Sequence, residues 1–147
     1  MKNGLIRPAA AADLDRILSI ETRRPTAPGW TRTQFEHELA WERSYFVVWE
    51  AGGRVQGYAG LWKIHPEGQI TTTVTAPEYE GRGLGRGLLT HLIGRCRDWG
   101  FSSLNLEASE RNTRALRLYA GAGFRVVGRR PKFYNDGSDA VLMDLSL

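Results

Sequence analysis

The chain has 147 residues, of which 41% are hydrophobic and 24% are charged, an ordinary balance for a globular protein with an apolar core. Its formal net charge is +4, but the 16 acidic residues are interspersed with the 20 basic ones, so no basic tract suited to non-specific nucleic-acid binding exists. No apolar run reaches the ~18 residues of a membrane span. These features favour a single domain, 1–147, that binds neither membrane nor nucleic acid.

Apolar periodicity and turn residues predict the secondary structure in chain order. One short strand and two helices come first, and the second helix starts at a capping box, Thr31 to Gln34. A hairpin across Gly52-Gly53 and a third strand then form a meander. The predicted strands are 5–7, 45–50, 55–64, 69–75, 103–107, 125–134 and 139–145, and the predicted helices are 13–21, 31–39, 88–99 and 112–122.

The helix at 88–99 joins two strands that we expect to lie parallel, because a crossover helix connects them. The other neighbouring strands are joined by hairpins and should be antiparallel. The sequence therefore predicts an α/β (α+β) fold with a mixed, mostly antiparallel central sheet of about seven strands, flanked by about four helices.

A glycine-rich segment lies between the predicted strand 69–75 and the helix 88–99. It reads Glu80-Gly81-Arg82-Gly83-Leu84-Gly85-Arg86-Gly87, with glycine at every second position. The free N–H groups and the dipole at the start of a helix attract anions, and Arg82 and Arg86 add formal positive charge. The segment predicts a phosphate or pyrophosphate site, although a glycine-rich turn without a ligand is the alternative.

Two common phosphate loops are excluded by the spacing of this segment. A P-loop ends in Lys followed by Ser or Thr, but Arg86-Gly87 follows the last loop glycine here. The dinucleotide fingerprint needs a third glycine three residues after the second. Gly81 and Gly83 fit the first two positions, but Arg86 occupies the third.

The single cysteine, Cys96, excludes an internal disulfide and favours a reducing, cytoplasmic location. The N-terminus has no apolar run long enough for a signal peptide. Cys96 has apolar helical neighbours, which favour a buried residue over a nucleophile. The three histidines have no ligand-like spacing to one another or to Cys96, so we predict no metal site.

The order of elements and the glycine segment together resemble the GCN5-related N-acetyltransferase (GNAT) family over nearly the whole chain. The six residues from Glu80 to Gly85 stand where that family has Gln or Arg, two residues, Gly, any residue, then Gly or Ala. Within the family, the chain is most similar to the bacterial ribosomal-protein alanine N-acetyltransferases (RimI type). The other residues that carry this similarity are Tyr45-Phe46, Gly57-Tyr58-Ala59-Gly60, Pro77 to Tyr79, Leu106-Glu107, Asn112, Leu118-Tyr119, Gly123-Phe124, Arg129-Arg130-Pro131, Phe133-Tyr134, Asp136-Gly137 and Asp139-Ala140.

The resemblance implies a fold of the GNAT type and a glycine loop that holds the pyrophosphate of acetyl-coenzyme A (acetyl-CoA). It also implies that backbone N–H groups of the preceding strand stabilise the oxyanion that develops during transfer. Asn112 matches a side chain that contacts the coenzyme, and it also caps the helix that follows. The coenzyme-binding residues implied in this way are Thr73, Val74, Thr75, Gly81, Arg82, Gly83, Leu84, Gly85, Arg86 and Asn112.

The resemblance also assigns the acid–base chemistry. An amine must lose a proton before it attacks a thioester, and Glu107 matches the general base of the family. Tyr119 matches the general acid that protonates the leaving thiolate. Tyr134 lies where related enzymes bind the substrate's N-terminal residues. The plainer alternatives are a salt-bridged or solvated carboxylate for Glu107, core packing for Tyr119 and edge stacking for Tyr134.

Four departures from the family pattern bear on affinity and substrate choice. Glu80 replaces the usual Gln or Arg and brings a negative charge near the phosphate, which we expect Arg82 and the loop amides to offset. Threonines replace much of an apolar strand at 71–75. Phe133 stands where a second Tyr is common, and Ser109 stands where Arg is frequent.

The resemblance implies an acetyl-CoA-dependent N-acetyltransferase that acts by direct attack in a ternary complex, because no covalent nucleophile is evident. The favoured acceptor is the α-amine of a protein N-terminus, plausibly that of a ribosomal protein, and the favoured state is a monomer or weak dimer. The alternatives are a GNAT enzyme for a small-molecule amine, a non-catalytic CoA-binding module and, more remotely, a nucleic-acid-binding domain.

Overall fold

The computed structural model describes residues 4–24 and 27–147, and these form seven β-strands and four α-helices. The strands are β1 (Leu5–Pro8), β2 (Ser44–Ala51), β3 (Arg54–Ile64), β4 (Glu67–Thr75), β5 (Ser103–Ser109), β6 (Arg125–Arg130) and β7 (Ala140–Ser146). The helices are α1 (Leu14–Thr22), α2 (Arg32–Ala40), α3 (Leu84–Asp98) and α4 (Thr113–Gly121).

All seven strands belong to one sheet in the order β1-β2-β3-β4-β5-β7-β6. The neighbours are antiparallel except β4 and β5, which are parallel and are connected by α3. The predicted mixed sheet with flanking helices is therefore confirmed. The last two strands do not follow the order of the sequence within the sheet, because β7 pairs with β5 and β6 forms the edge.

Helices cover both faces of the sheet, with a separate apolar core on each. On one face, α3 buries Leu88 and Leu92 and α4 buries Tyr119 against strands β2 to β7. On the other face, α1 and α2 bury Ile17 and Phe35 against β2, β3 and β4. The second core does not extend to β5, β7 and β6, so the sheet is open to solvent there.

Helix α3 begins at Leu84, four residues before the start at 88 that the sequence predicted. Glycine has a low helix propensity, so a pattern-based boundary falls after Gly85 and Gly87. In the structure, Leu84 is only 1% exposed, and its burial anchors the first turn of the helix inside the glycine segment. The residues from 84 to 87 thus belong to a helix rather than to a loop.

Strand β6 ends at Arg130, whereas the sequence predicted a strand to 134. Pro131 has no N–H group with which to continue the ladder. Lys132 then adopts a positive φ of 53°, which turns the chain away from β7. The residues from 131 to 139 form a long connection that carries the two adjacent aromatic residues 133 and 134.

The predicted start of the second helix at Thr31 and the predicted end of α3 at Gly100 are confirmed. Thr31 Oγ1 accepts from the Gln34 N–H (3.3 Å), and Gln34 Oε1 accepts from the Thr31 N–H (2.7 Å), which completes the capping box. Gly100 has a φ of 76° and ends α3, as its sequence position predicted. None of the helices in the described part of the chain is long and apolar enough to span a membrane.

Candidate active site

The four glycines of the segment serve two different purposes. Gly81 and Gly83 have φ values of 75° and 85°, which L-residues with side chains rarely adopt. Gly85 and Gly87 are helical, but a Cβ on them would lie 3.2 Å from Leu118 and 2.5 Å from the Trp49 ring. The first pair shapes the turn, and the second pair lets α3 pack closely on its neighbours.

The backbone of this turn offers a run of free donors. The amide N–H groups of residues 81–86 have no acceptor among the residues described, and the first hydrogen bond of the helix joins the Gly87 N–H to the Gly83 oxygen (3.0 Å). The N-terminus of α3 adds partial positive charge, and the side chains of Arg82 and Arg86 are exposed beside it. This arrangement fits a pyrophosphate group.

Glu80 is neutralised by arginines that the sequence did not point to. Its carboxylate forms ion pairs with Arg24, which follows α1, and with Arg114 in the first turn of α4 (2.7 Å). Arg82 instead lies over the Tyr79 ring, with its guanidinium carbon 5.4 Å from the ring centroid. The expectation that Arg82 offsets Glu80 is therefore corrected.

A gap opens in the sheet directly beside the glycine segment. The parallel ladder between β4 and β5 ends at Ile70 and Leu106, although both strands continue. The edges of 71–75 and 107–109 that face each other are therefore unpaired, and we call this opening the β4–β5 gap. It supplies backbone hydrogen-bonding groups to whatever chain or coenzyme arm enters it.

Alternation along β4 decides which amides face the gap. The Ala76 N–H donates to the Gln56 oxygen (2.9 Å), and alternate residues of an antiparallel strand direct their backbone groups to the same neighbour. Val74 therefore turns its N–H toward β3, and its side chain lies in the core below α1 and α2. Thr73 and Thr75 turn their N–H groups into the gap, so the geometry favours these two over Val74 as donors.

Tyr119 lies at the inner end of the gap. Its side chain is 6% exposed and packs edge-to-face on Phe124, with the ring centroids 5.7 Å apart. Burial raises the pKa of Tyr119, and the nearby Thr73 hydroxyl opposes part of this shift. The hydroxyl groups of Tyr119 and Thr73 are not hydrogen-bonded to each other. Thr73 Oγ1 is buried without a hydrogen-bond partner among the residues described. Both groups are thus available to a ligand at the gap.

Glu107 lies on the opposite strand of the gap and faces the open side of the sheet. Leu104 and Leu106 alternate with it and are buried in the core against α3 and α4. Glu107 forms an ion pair with Arg130, with Oε1 and Nε 3.0 Å apart. It borders a groove of about 330 Å³ that is also lined by Gln69, Asn105, Leu106, Val127, Arg130, Leu142 and Asp144.

Tyr134 lies in the connection after β6, near Glu107. Burial raises the pKa of its hydroxyl, and the carboxylates of Glu107 and Asp136 raise it further. Its N–H donates to the Ser138 oxygen (3.2 Å), which holds it in a compact turn. The structure therefore brings the predicted base and the predicted acceptor-binding tyrosine into one neighbourhood, although the sequence separates them by a helix and a strand.

Asn112 caps α4, as its sequence position predicted. Its Oδ1 accepts from the Ala115 N–H (3.3 Å), and its own N–H donates to the Ser109 oxygen (2.9 Å). This side chain oxygen is therefore used by the helix, and contact with the coenzyme stays a prediction that involves its amide nitrogen.

A buried carboxylate anchors the chain between α1 and α2, and sequence reasoning missed its role. Glu21 is 4% exposed and accepts from the N–H groups of Gly29 (2.7 Å) and Trp30 (3.1 Å) and from the Tyr58 hydroxyl. Its position on the apolar stripe of α1 was the only signal in the sequence. Residues 25 and 26, between these two helices, lie outside the described residues.

The remaining candidate for chemistry is inert. Cys96 is fully buried in α3, and burial raises the pKa of its thiol to about 11. At neutral pH it is therefore protonated and inaccessible, as the sequence indicated. No group of three potential metal ligands occurs within 4–24 and 27–147.

The free amides of the turn, the gap beside it and the carboxylate at its mouth fit a coenzyme-dependent transferase. The sequence model of the acetyltransferase (GNAT) family matches residues 14–124. The chain belongs to this family, and it is an N-acetyltransferase that uses acetyl-CoA as its acyl donor.

The names of individual similar proteins are consistent with this family. The N-alpha-acetyltransferase RimI of Mycobacterium tuberculosis is 35% identical over 138 residues, which cover 90% of this chain and 85% of that protein. The ribosomal-protein-S18-alanine N-acetyltransferase of Escherichia coli has a crystal structure similar to this one, with a TM-score of 0.89, 29% identity and coverage of 97% and 93% of the two chains. YncA of Salmonella typhimurium, solved with its cofactor acetyl-CoA, gives a TM-score of 0.80, 25% identity and coverage of 99% and 94%.

Proposed function

We propose that this chain is a single-domain enzyme, 1–147, that acetylates the α-amine of a protein N-terminus, with a ribosomal protein as the acceptor. The names of the Mycobacterium tuberculosis and Escherichia coli relatives support this acceptor class. The observation that carries the proposal is the β4–β5 gap, which has the Glu107 carboxylate on one side and the Tyr119 hydroxyl on the other.

In this proposal, the coenzyme binds along β4. Acetyl-CoA supplies an activated thioester, and the amides of 81–86, together with Arg82 and Arg86, hold its pyrophosphate. The N–H groups of Thr73 and Thr75 face the gap and donate to the thioester oxygen as negative charge develops there. The unpartnered Thr73 hydroxyl supports this assignment, because a buried polar group without a partner is costly unless a ligand satisfies it.

The acid–base roles follow from the environments of the two side chains. Glu107 is partly exposed at the groove and takes a proton from the incoming ammonium group, directly or through water. Tyr119 is buried, and its raised pKa keeps the phenol protonated at neutral pH, so it can donate a proton to the leaving thiolate. Attack is direct in a ternary complex, because the only thiol is buried away from the gap.

The open groove favours a polypeptide acceptor over a small amine. Its floor is the uncovered face of β5, β7 and β6, and Tyr134 lies beside it. A chain whose first residue reaches Glu107 can therefore continue into solvent without a steric block. A site built for a polyamine or an amino sugar would be expected to enclose its ligand more fully.

The proposal also includes the cellular location of the enzyme and its oligomeric state. An enzyme for nascent or free ribosomal proteins works in the cytoplasm, where a lone buried thiol stays reduced. We propose a monomer or weak dimer that does not require nucleic acid. The alternatives, a small-amine acetyltransferase and a CoA-binding module without activity, remain outcomes of the experiment below.

The experiment measures thiol release from acetyl-CoA with three acceptors: peptides with a free N-terminal alanine, the same peptides with a blocked N-terminus, and small amines. We expect turnover with the free peptides only. Glu107→Gln should lower kcat about 100-fold at neutral pH and less at high pH, where more of the amine is already deprotonated. Glu36→Gln, an exposed carboxylate on α2, is the matched control.

Two results would contradict the proposal in different ways. Turnover of small amines but not of free peptides would replace the acceptor class and leave the enzyme intact. Calorimetric binding of acetyl-CoA without turnover of any acceptor would instead favour the non-catalytic module.

A further inference from the structure

The groove beside Glu107 contains a cation to which the chemistry above gives no task. Arg130 ends β6, and its Nε lies 3.0 Å from Glu107 Oε1 on β5. These strands are not neighbours, because β7 lies between them. The register partner of Arg130 on β7 is Ala140, whose short side chain leaves a path for the guanidinium across the sheet.

An exposed aromatic side chain forms a cation–π contact with Arg130. The guanidinium carbon lies 5.8 Å from the centroid of the Phe133 ring, within cation–π range. Phe133 is 51% exposed and meets Tyr134 edge-to-face, with the ring centroids 5.1 Å apart. This contact gives a physical role to a large apolar side chain that is otherwise left in solvent.

The connection that carries Phe133 is itself held in place. Asp139 accepts from the Lys132 N–H (3.0 Å) and from Arg129 Nη1 (3.1 Å). The Asp139 N–H in turn donates to Glu110, at the end of β5. The support for Arg130 is therefore tied to the same strand that carries Glu107.

The other groups around Glu107 are acidic or neutral. Asp144 from β7 and the Tyr134 hydroxyl from the connection face the same region, and Gln69 and Asn105 contribute neutral side chains from β4 and β5. Among the described residues that line the groove, Arg130 is the only cation. Arg125, the register partner of Asp144 on β6, lies farther along the strand and does not line the groove.

We propose that Arg130 is a positioning residue for acetyl transfer, which orients Glu107 toward the acceptor amine. The proposal rests on the proposed function, in which Glu107 is the base. Oε1 pairs with Arg130 and leaves Oε2 free to face the acceptor. Phe133 contributes by limiting the directions that the guanidinium can adopt.

A purely structural ion pair would behave differently. Exposed pairs contribute little to the free energy of unfolding, so loss of a structural pair would leave both kcat and KM nearly unchanged. Loss of a positioning pair lowers kcat and leaves the KM for the acceptor peptide nearly unchanged, because the orientation of the base matters in the chemical step.

The experiment measures kcat and the KM for an N-terminal alanine peptide at saturating acetyl-CoA. Arg130→Gln should lower kcat about tenfold. The KM for the peptide should stay within about twofold, because Glu107 keeps its place in the groove and only the orientation of its carboxylate changes. Arg130→Lys keeps the charge without the planar fork and should recover kcat in part.

Two further variants complete the test. Arg97→Gln removes an exposed arginine of α3, away from the groove, and it should match the wild type. Phe133→Ala should lower kcat in the same way as Arg130→Gln, but by less. Phe133→Tyr keeps the ring and should resemble the wild type.

An unchanged kcat in folded Arg130→Gln overturns the proposal. If Glu107→Gln abolishes activity in the same assay, the proposed function survives that failure. If Glu107→Gln is fully active, the base assignment fails on its own account. Should Arg130→Gln not fold, an unchanged kcat in both Arg130→Lys and Phe133→Ala overturns the proposal, because each variant alters how the guanidinium is held against Glu107.

Discussion

The proposed coenzyme side and the proposed acceptor side of this molecule differ in the groups they present. The proposed coenzyme side presents main-chain groups, the free amides of 81–86 and the unpaired edge of β4. The proposed acceptor side presents side chains, chiefly Glu107, Arg130 and Tyr134, carried by elements far apart in the sequence. A constant ligand suits a backbone cradle, because the backbone keeps its donors when side chains change.

The difference also explains how the two sides tolerate the departures from the family pattern. The threonines of β4 replace apolar residues, yet the strand keeps its backbone donors. On the proposed acceptor side, Phe133 replaces a frequent Tyr, yet the aromatic ring that lies against Arg130 is kept. Substitutions should therefore separate binding from chemistry according to the side they touch.

The largest effect is expected from a side chain at the boundary between the two sides. Tyr119→Phe removes the proposed general acid and should lower kcat about 100-fold. Its affinity for acetyl-CoA, measured by calorimetry, should stay within about threefold, because the ring and its packing on Phe124 remain. Tyr45→Phe, on a tyrosine that is hydrogen-bonded to His91, is the control.

The pH dependence of kcat in the wild-type enzyme is a second test of the general-acid role proposed for Tyr119. Its pKa is raised, so the phenol keeps its proton beyond the ordinary value of about 10, and kcat should not fall between neutral pH and that point. A wild-type rate in Tyr119→Phe, or a decline of kcat well below pH 10 that this variant abolishes, would contradict the assignment.

An intermediate effect is expected from the backbone of the coenzyme side. Gly83→Ala places a Cβ at a φ of 85°, which costs about 1–2 kcal/mol and should weaken acetyl-CoA binding about tenfold. Turnover at saturating acetyl-CoA should change little. Gly94→Ala in the middle of α3 meets open space and should stabilise the fold by up to about 1 kcal/mol without affecting affinity. Equal affinities of the two variants would argue against a backbone cradle at 81–86.

The smallest effect is expected from the charge cluster at Glu80. Glu80→Gln frees Arg24 and Arg114 and should strengthen acetyl-CoA binding about two- to threefold at low salt. Arg114→Gln should weaken binding by a similar factor. The double variant should be non-additive, because the two side chains are in contact. Arg117→Gln on the exposed face of α4 provides the control, and additive effects in the double variant would show that Glu80 and Arg114 act independently.

Much of the fold was predictable because its signals are local. Alternating and helical apolar patterns located all the strands and helices, and the glycine segment indicated the anion site. Element boundaries were less accurate where local preference and tertiary packing disagree. Glycine disfavours helix, but burial of Leu84 pulls the start of α3 into the glycine segment.

The site was predictable only in part. The family pattern pointed to Glu107 and Tyr119, and the structure brings both to the β4–β5 gap, but their catalytic roles stay predictions until the kinetics are measured. No pattern indicated that Val74 turns its amide away from the gap, because this depends on the pairing of β4 with β3. The arginine partners of Glu80 and Glu107 were equally hidden.

The sequence by itself determined the order of the elements, the turn chemistry of Gly81 and Gly83 and the inertness of Cys96, because each depends on neighbours within a few positions. Only the tertiary structure decided where the ladder between β4 and β5 stops and which charges meet. Arg24 and Glu80 are 56 residues apart, and Glu21 and Tyr58 are 37 apart. Contacts of that range depend on how the whole chain packs, and composition or periodicity does not encode them.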